Sequence, residues 1–298
     1  FEALLSNTTG DENTANGFRA LQSNTTGAAN SATGYYALYS NTTGSDNIAN
    51  GYEALKSNTT GSSNIATGYR ALQSNTTADG NNAMGYYALN SNTTGYANIA
   101  IGKYTLRYNT TGSTNTAIGG SALYSNTTGG SNTANGNGSL YSNTTGGNNT
   151  ATGYNSLSSN TTGDNNIATG REALSANTTG SSNIAIGYGA GDVITTGDYN
   201  TALGYGANVS AGNLTNATAI GNGAVVSASN TIQLGNTSVT SVVTSGTFTG
   251  EAFKVNSLQT APSSATATGT AGEIRYTADY IYVCIATNTW VRSALATW

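Results

Sequence analysis

The first seventeen residues, FEALLSNTTGDENTANG (Phe1–Gly17), determine the architecture, because the chain goes on to repeat them. The next unit, Phe18–Gly34, reads FRALQSNTTGAANSATG, and Tyr35–Gly51 reads YYALYSNTTGSDNIANG. The period holds without insertion or deletion for thirteen units that end at Gly221. The consensus is Y-x-A-L-x-S-N-T-T-G-x-x-N-I/T-A-x-G, with Ala at position fifteen and Gly at position seventeen of every unit. A fixed short period is typical of a solenoid, in which each repeat stacks on its neighbours.

The period is too short for helical repeats, which need two helices and about 33–47 residues. Every unit ends in Gly, and Asn and Thr are poor helix formers. We therefore predict an all-β fold, a parallel β-solenoid whose 17-residue coils each contain two short strands and two turns. Positions fourteen and sixteen are expected to share one face of a strand, and positions thirteen, fifteen and seventeen the other.

Stacking at ~4.8 Å per coil places the same unit position of successive coils in one column. Stacked Asn side chains can then hydrogen-bond along the axis, as in cross-β structures. We predict Asn ladders at positions seven and thirteen, a place at position fifteen too narrow for anything larger than Ala, and a tight corner of positive φ at position seventeen. In the first coils these residues are Asn7, Asn24, Asn41 and Asn58, then Asn13, Asn30, Asn47 and Asn64, and finally Ala15 and Gly17.

Composition argues against several classes of function. Only 7% of residues are charged, and nine Lys and Arg against thirteen Asp and Glu give a formal net charge of −4, so no nucleic-acid partner is expected. With no His and one Cys, the chain lacks the usual zinc ligands, a His-based catalytic triad and an intrachain disulfide. The acidic residues lie mostly in predicted turns, without the paired carboxylates that glycan hydrolysis needs. We expect no enzyme activity, no metal and no cofactor.

The longest strongly apolar run, Tyr280–Ala286, is far shorter than the ~20 residues of a membrane-spanning helix, so no membrane insertion is expected. The sequence starts inside a repeat, which leads us to expect a processed product or part of a longer protein.

Each coil offers one Leu, one aromatic residue and two Ala for burial, and their burial barely offsets the entropy lost when the backbone of the coil is ordered. We therefore expect the coils to pack against other copies of the chain in a three-fold bundle.

The last units resemble a known family. Asn183–Ala207 reads NIAIGYGAGDVITTGDYNTALGYGA, and Gly221–Asn236 reads GNGAVVSASNTIQLGN. Both are similar to the head repeats of YadA-like trimeric autotransporter adhesins and of related phage tail-fibre segments. The matching residues are Ala185-Ile186-Gly187, Ala202-Leu203-Gly204, Ala219-Ile220-Gly221 and the fourteen-residue unit Asn222–Gly235. The resemblance implies a left-handed parallel β-roll in a homotrimer, although units one to eleven carry a longer Y-x-A-L-x-S-N-T-T segment than the family.

The period is lost after residue 235. We interpret 1–235 as the solenoid, 236–271 as a neck and linker, and 272–298 as a C-terminal β-hairpin module. The hairpin resembles the terminal segments of phage fibre proteins and, loosely, the fibritin foldon with its Y-V…W-V pattern. The resemblance implies trimerisation or capping of the fibre end, with a trimer core formed by Ile281, Val283 and Trp290.

The sequence leaves the ligand-binding surface open. Position two varies and is expected to face solvent, so Tyr36 and Tyr87 are the candidate ligand contacts. The aromatic column at position one is interpreted as a packing stripe, and the alternative is a strip that faces a sugar or a protein, because Tyr combines an apolar face with a polar tip. The eleven N-T-T triplets match the N-glycosylation sequon. A structural ladder is the favoured interpretation, because Asn and Thr also persist at positions where no sequon exists.

We predict a non-enzymatic, elongated, homotrimeric tail fibre of a bacteriophage virion, which acts outside the cell in host attachment. Its expected partners are its own copies, other virion components and a host cell-surface glycan or protein. The alternative of the same class is a trimeric adhesin on a bacterial surface. An ice-binding β-solenoid is less favoured, because the two adjacent Thr side chains of each triplet point to different faces.

Overall fold

The computed structural model describes residues 1–239, 241–242, 260–269, 271 and 273–295. Within these ranges every regular element is a β-strand, and no helix occurs, so none that could cross a membrane is found there. The chain divides into two compact units, Phe1–Thr240 and Ser241–Trp298.

The first unit is a parallel β-solenoid of about thirteen coils, as predicted. Each coil contributes one three-residue strand at positions fourteen to sixteen, and consecutive strands pair in register, so that Ala15 is the partner of Ala32. Fourteen strands form one sheet in chain order, which extends over roughly 60 Å. They are β1 (Thr14–Asn16), β2 (Ser31–Thr33), β3 (Ile48–Asn50), β4 (Ile65–Thr67), β5 (Asn82–Met84), β6 (Ile99–Ile101), β7 (Thr116–Ile118), β8 (Thr133–Asn135), β9 (Thr150–Thr152), β10 (Ile167–Thr169), β11 (Ile184–Ile186), β12 (Thr201–Leu203), β14 (Thr218–Ile220) and β16 (Ile232–Leu234).

The core of the solenoid consists of columns of small residues and Leu. In the thirteen seventeen-residue coils the middle residue of the strand, Ala at position fifteen, points inward and is buried from Ala32 onward, while Ala15 of the first coil is partly buried. A second column of small residues at position three and the Leu column at position four complete the core. Because the core is so thin, a larger residue at position fifteen would push the coil walls apart.

The structure has one strand in each of the first twelve coils, where the sequence predicts two. On the other side of the coil the backbone turns sharply, with Arg19 and Leu21 at φ values of 57° and 52°. The coils still bond to each other there, since Leu21 N–H donates to Ala37 O at 3.0 Å. A left-handed backbone costs a residue such as Leu about 1–2 kcal/mol, which complete burial of its side chain offsets.

Second strands are found among the described coils only in the last two, which carry neither Leu nor Gly at position four. β13 (Asn208–Val209) and β15 (Val225–Val226) pair in parallel in the last two coils. Asn-Val and Val-Val stand there in place of the Leu-x pair, and Val favours extended backbone. The shape of a coil therefore changes where the sequence departs from the N-T-T consensus.

Gly at position seventeen forms a corner of positive φ in every coil, as predicted, with 143° at Gly17. The stacking of the coils adds a second requirement for glycine. A Cβ atom built on Gly34 would lie against the carbonyl oxygen of Gly51 and only 2.7 Å from its carbonyl carbon. The corner is thus closed to side chains by the neighbouring backbone.

The second unit contains a three-stranded antiparallel sheet, one strand more than the predicted hairpin. It consists of β17 (Ile274–Tyr276), β18 (Tyr280–Ala286) and β19 (Thr289–Ala294). Part of the predicted linker, 260–269, packs on this sheet, because Trp290 Nε1–H donates to Ala267 O at 3.0 Å. Residues 243–259 of the predicted neck and linker lie outside the described residues.

The sheet separates the three residues predicted to be buried together at its trimer core. Tyr282 and Cys284 alternate along β18 with Ile281 and Val283, so the two pairs lie on opposite faces. Trp290 is the cross-strand partner of Cys284 and is buried with it. Trp290 therefore belongs to the internal cluster of one chain, whereas Ile281 and Val283 lie on the other face.

Candidate functional site on the aromatic face

The Asn residues at position seven form a continuous ladder inside the coils. Asn24 Nδ2–H donates to Asn7 Oδ1 and to Gly27 O, both at 2.8 Å. Asn41 and Asn58 repeat the same two bonds one and two coils further on. Each side chain therefore joins its own turn to the preceding coil.

Burial of this ladder gives the N-T-T triplets a structural role. From Asn24 to Asn177 the position-seven side chains are completely buried, and both Nδ2 hydrogens are engaged in hydrogen bonds. A glycan on Nδ2 would break these bonds and open the coil. The ladder ends at Asn177, whose Oδ1 has no partner because the next coil carries Ile194 at this position.

A second ladder runs through the Asn residues at position thirteen. Asn30 donates its backbone N–H and its Nδ2–H to Asn13 Oδ1, at 3.0 and 3.1 Å. Its Nδ2–H also donates to Gly44 O of the following coil at 2.9 Å. Asn47 and Asn64 repeat this arrangement. The carbonyl at position ten thus accepts one amide from each ladder.

Side chains at positions one, two and five of coils 1–13 form one outer surface, which we call the aromatic face. Position one is a stack of rings from Phe1 to Tyr86, with centroid distances of 5.1–6.4 Å between successive rings. Tyr35, Tyr52, Tyr69 and Tyr86 keep 36–43% of their surface exposed. The stack therefore supports itself and remains accessible to solvent.

The two candidate ligand contacts, Tyr36 and Tyr87, are half-buried against this stack. The ring of Tyr36 meets the ring of Tyr35 edge-on at 4.5 Å, and Tyr87 meets Tyr86 at 4.7 Å. The order of exposure is thus the reverse of the expected one, because position one is more open than position two.

An ion-pair cluster holds Tyr87 in place. Buried Glu53 binds Arg70 Nε and Lys56 Nζ, each at 2.8 Å, and Gln73 Nε2 at 2.7 Å. Arg70 Nη1–H in turn donates to the Tyr87 hydroxyl at 3.0 Å. Burial acts to raise the pKa of Glu53, but the hydrogen bonds and charges of Lys56 and Arg70 outweigh it and hold the pKa below its ordinary value.

A similar cluster, with Leu5 in place of the lysine, occurs three coils earlier around Tyr36. Arg19 Nε lies 2.6 Å from Glu2 Oε2, Arg19 Nη1–H donates to the Tyr36 hydroxyl at 3.1 Å, and Gln22 Nε2 lies 3.2 Å from Glu2 Oε2. Position two therefore reads Glu-Arg-Tyr twice over six coils. The seventeen-residue consensus hides this order, because it averages over single coils. Comparison of position two at intervals of three coils reveals it.

The third block of three coils breaks the pattern. Tyr104 stands where the pattern has Glu, and the cations of this coil are Lys103 and Arg107. Lys103 Nζ lies 4.8 Å from the centroid of the Tyr104 ring, and Arg107 Cζ lies 5.0 Å from it. Neither cation has a salt-bridge partner in the described part of the chain. The consensus alone does not reveal these two residues.

Carboxylates at position eleven satisfy backbone groups. Asp79 Oδ1 accepts the N–H of Ser62 at 2.7 Å, and Asp164 Oδ1 accepts that of Gly147 at 2.6 Å. Each carboxylate therefore links its turn to the coil before. No group of three or more His, Cys, Asp or Glu side chains with the placement of a metal site occurs among residues 1–239 or in the described parts of the second unit.

Comparison with known proteins does not identify a family. No protein-family model matches the chain, and no curated protein is significantly similar to it. The function is therefore inferred from the residues of this chain.

Proposed function

We propose that this chain is the shaft of a homotrimeric bacteriophage tail fibre that attaches the virion to its host. The main support is the outward face of the fourteen-stranded sheet, formed by positions fourteen and sixteen. No residue of this face is charged in any strand. Twelve large apolar side chains on it are more than one third exposed: Ile48, Met84, Ile99, Ile101, Ile118, Ile167, Ile184, Ile186, Leu203, Ile220, Ile232 and Leu234.

An apolar face of this extent is typical of a protein–protein interface. We infer that a second copy of the chain covers it, because each copy offers the same columns at the same spacing. In a three-fold bundle whose axis follows the stacking direction, each coil lies level with the equivalent coils of the other copies. The resemblance of the last units to YadA-like heads supports this arrangement and a left-handed winding.

The second unit offers a further apolar face for trimer contacts. Val283 is the cross-strand partner of both Ile274 and Val291, so the three side chains lie side by side. Ile274 and Val291 are exposed, and Val283 and the neighbouring Ile281 are half-buried. We infer that this face, and not the cluster around Trp290, contacts other copies.

In this proposal the coils give the fibre its reach, and the trimer presents three aromatic faces. Three weak contacts made together bind far more tightly than one. The partners are other virion components and a host cell-surface glycan or protein. No catalytic role is assigned to any residue.

Light scattering on the purified chain tests the trimer. The expected mass is three times 30.0 kDa. The triple variant Ile101→Glu, Ile186→Glu, Val283→Glu places nine carboxylates per trimer in the two proposed contact faces and is expected to reduce the mass to that of one chain, with the β-sheet circular dichroism retained.

Thr60→Glu is the control, because Thr60 is exposed and lies outside the sheet. This variant is expected to remain trimeric. A wild-type mass of a single chain, or a trimeric mass of the interface variant, contradicts the proposal.

Immunogold labelling separates the tail fibre from the surface adhesin. Antibodies against the solenoid are expected to label phage tails, whereas labelling of a bacterial envelope would favour the adhesin.

The outward face argues against ice binding, which depends on a regular array of Thr-x-Thr strands. The two columns of this face instead mix Ile, Asn and Thr, and among the fourteen strands of the sheet only β9, with Thr150 and Thr152, has this pattern. A purified sample is expected to show no thermal hysteresis.

A further inference from the structure

We propose that the surface around Lys103 and Arg107 binds an acidic polysaccharide, with its carboxylates on these two cations and its sugar rings on the neighbouring tyrosines. The inference deepens the attachment role proposed above and rests on it for the biological source of the ligand. The surface, which we call the cationic patch, is formed by Tyr86, Lys103, Tyr104, Arg107, Tyr108 and Tyr124.

Charge balance distinguishes the cationic patch from the rest of the aromatic face. All six cations of coils 1–13 lie at positions one, two or five. Four of them form ion pairs with Glu side chains: Arg19, Lys56, Arg70 and Arg171. Lys103 and Arg107 form none within the described residues, so their charge is available to an anionic ligand.

Arg107 is held in place by rings while most of its hydrogen-bonding capacity stays unused. Its guanidinium carbon lies 4.9 Å from the ring centroid of Tyr87, 5.0 Å from that of Tyr104 and 5.1 Å from that of Tyr108. Its Nη1–H donates to the Tyr124 hydroxyl at 3.3 Å, and its Nε, which is buried, has no partner. A guanidinium carries five donors and matches the geometry of a carboxylate.

The tyrosines around the two cations offer apolar faces with polar edges. Lys103 is exposed, 4.8 Å from the Tyr104 centroid and 5.8 Å from that of Tyr86. Tyr86 and Tyr108 are each more than 40% exposed. Sugar rings pack their C–H faces on such rings, and their hydroxyls hydrogen-bond to the phenol groups. A sugar that also carries a carboxylate fits both features of the patch.

Nucleic acid fits the patch less well. Binding of a phosphate backbone depends on several cations spaced along the strand, and this surface offers two. The acidic polysaccharide is therefore the ligand that we assign.

Calorimetry on the full-length trimer tests the inference with three carboxylated probes: oligogalacturonate, hyaluronate oligosaccharides and oligosialic acid. At least one is expected to bind, with an affinity that falls as salt rises. Its methyl ester, which has the same rings without the charge, is expected to bind at least tenfold more weakly.

Two variants locate the site. Lys103→Gln is expected to weaken binding about tenfold, because it removes one charged partner from an exposed position. Tyr104→Glu restores the carboxylate that coils 1 and 4 carry at position two, where it would pair with the local cations, and is expected to abolish binding. Both variants should keep the circular dichroism of the wild type.

Lys56→Gln is the matched control. Lys56 also lies over a tyrosine, 5.2 Å from the Tyr36 centroid, but is paired with Glu53. Its replacement is expected to change affinity less than twofold. Equal losses in the Lys56 and Lys103 variants, equal affinity for the methyl ester, or tighter binding of a single-stranded oligonucleotide would each overturn the inference. If none of the three probes binds to a trimeric preparation, the inference is wrong and the fibre proposal stands. If the wild-type chain has the mass of a single copy in solution, only the fibre proposal is refuted.

Discussion

At the scale of single residues, Asn109 shows how the coils are joined. It donates to Asn92 Oδ1 and Gly112 O at 2.8 Å and accepts from Asn126 at 2.7 Å. Asn109→Ala leaves a buried acceptor and a buried donor short of partners and is expected to destabilise the solenoid by about 2 kcal/mol. Asn7→Ala, at the solvent-accessible end of the ladder, should destabilise it by less than half as much. Thermal melting followed by circular dichroism compares the two, and equal effects would contradict a role for burial.

The Glu53 cluster predicts a pH dependence of stability. The folded pKa of Glu53 lies below its unfolded value, so the ionised side chain stabilises the fold above the unfolded pKa of about 4.3, and this contribution disappears as pH falls through the folded pKa. Glu53→Gln removes the titrating group. The wild type is therefore expected to melt higher than this variant at pH 7, with the difference shrinking below about pH 4. A difference independent of pH would rule out this ion-pair contribution.

The residue pattern predicts columns better than it predicts contacts between different columns. Constant positions such as those of Asn7 and Asn13 indicate ladders, because a repeated residue must meet its own copies in a stack. The pairing of Glu53 with Arg70 depends on the residues at a variable position of two adjacent coils. The consensus gives no residue for that position, so the pairing cannot be read from it. The exposure of Tyr35 relative to Tyr36 depends on the direction of the backbone turn, which residue types alone do not define.

At the scale of the elements, a glycine of the coil corner, Gly85, can be compared with Gly206, which lies at position two of coil 13. A Cβ atom on Gly85 would lie against the carbonyl group of Gly102, whereas a Cβ atom on Gly206 meets nothing within 4 Å. Gly206→Ala is therefore expected to cost only about 1 kcal/mol of backbone strain at its φ of 60°. Gly85→Ala should cost roughly 3–5 kcal/mol, because a φ of 146° is nearly closed to residues with a Cβ atom and because the coils must also separate.

Melting temperatures of the two Gly→Ala variants, measured side by side, test this view of the corner. If Gly85→Ala and Gly206→Ala were equally stable, neither the close contact between coils nor the φ of 146° at Gly85 would add to the cost of an ordinary left-handed residue.

The number of strands per coil shows why elements are harder to predict than periods. Leu seldom adopts positive φ, so nothing in its residue type indicates the sharp turn at Leu21. The turn results from stacking, which buries the Leu side chain in a column of its own kind. In the second unit, the sequence predicts the alternation along β18, but the cross-strand register that places Trp290 beside Cys284 depends on the turn geometry between β18 and β19.

At the scale of the whole molecule, the stacking predicts which deletions are tolerated. Removal of coil 10, residues 154–170, joins two coils in register and is expected to give a folded protein with a sheet shorter by one ~4.8 Å step. Removal of residues 154–162 shifts every later column and should abolish cooperative melting. Circular dichroism and small-angle scattering distinguish these outcomes, and a well-folded nine-residue deletion would refute the requirement for register.

The class of fold follows from the sequence, whereas the assembly does not. A strict period of residues that favour turns and strands admits few architectures other than a β-solenoid. The face that meets other copies is not predictable from the residues, because residue types alone do not show which side of the short strand packs against the Leu column in the core. Only with positions fourteen and sixteen placed outside the core do the exposed Ile residues fall on one uncharged face of the sheet.

The ion pairs of the aromatic face bear on how such a chain grows. Glu2 and Arg19 belong to one block of three coils, and Glu53, Lys56 and Arg70 belong to the next. A gene duplication that copies either of these blocks brings both partners of each of its ion pairs, so the protein lengthens without an unpaired cation. Duplication of coil 2 or coil 5 alone would instead add an arginine without its glutamate.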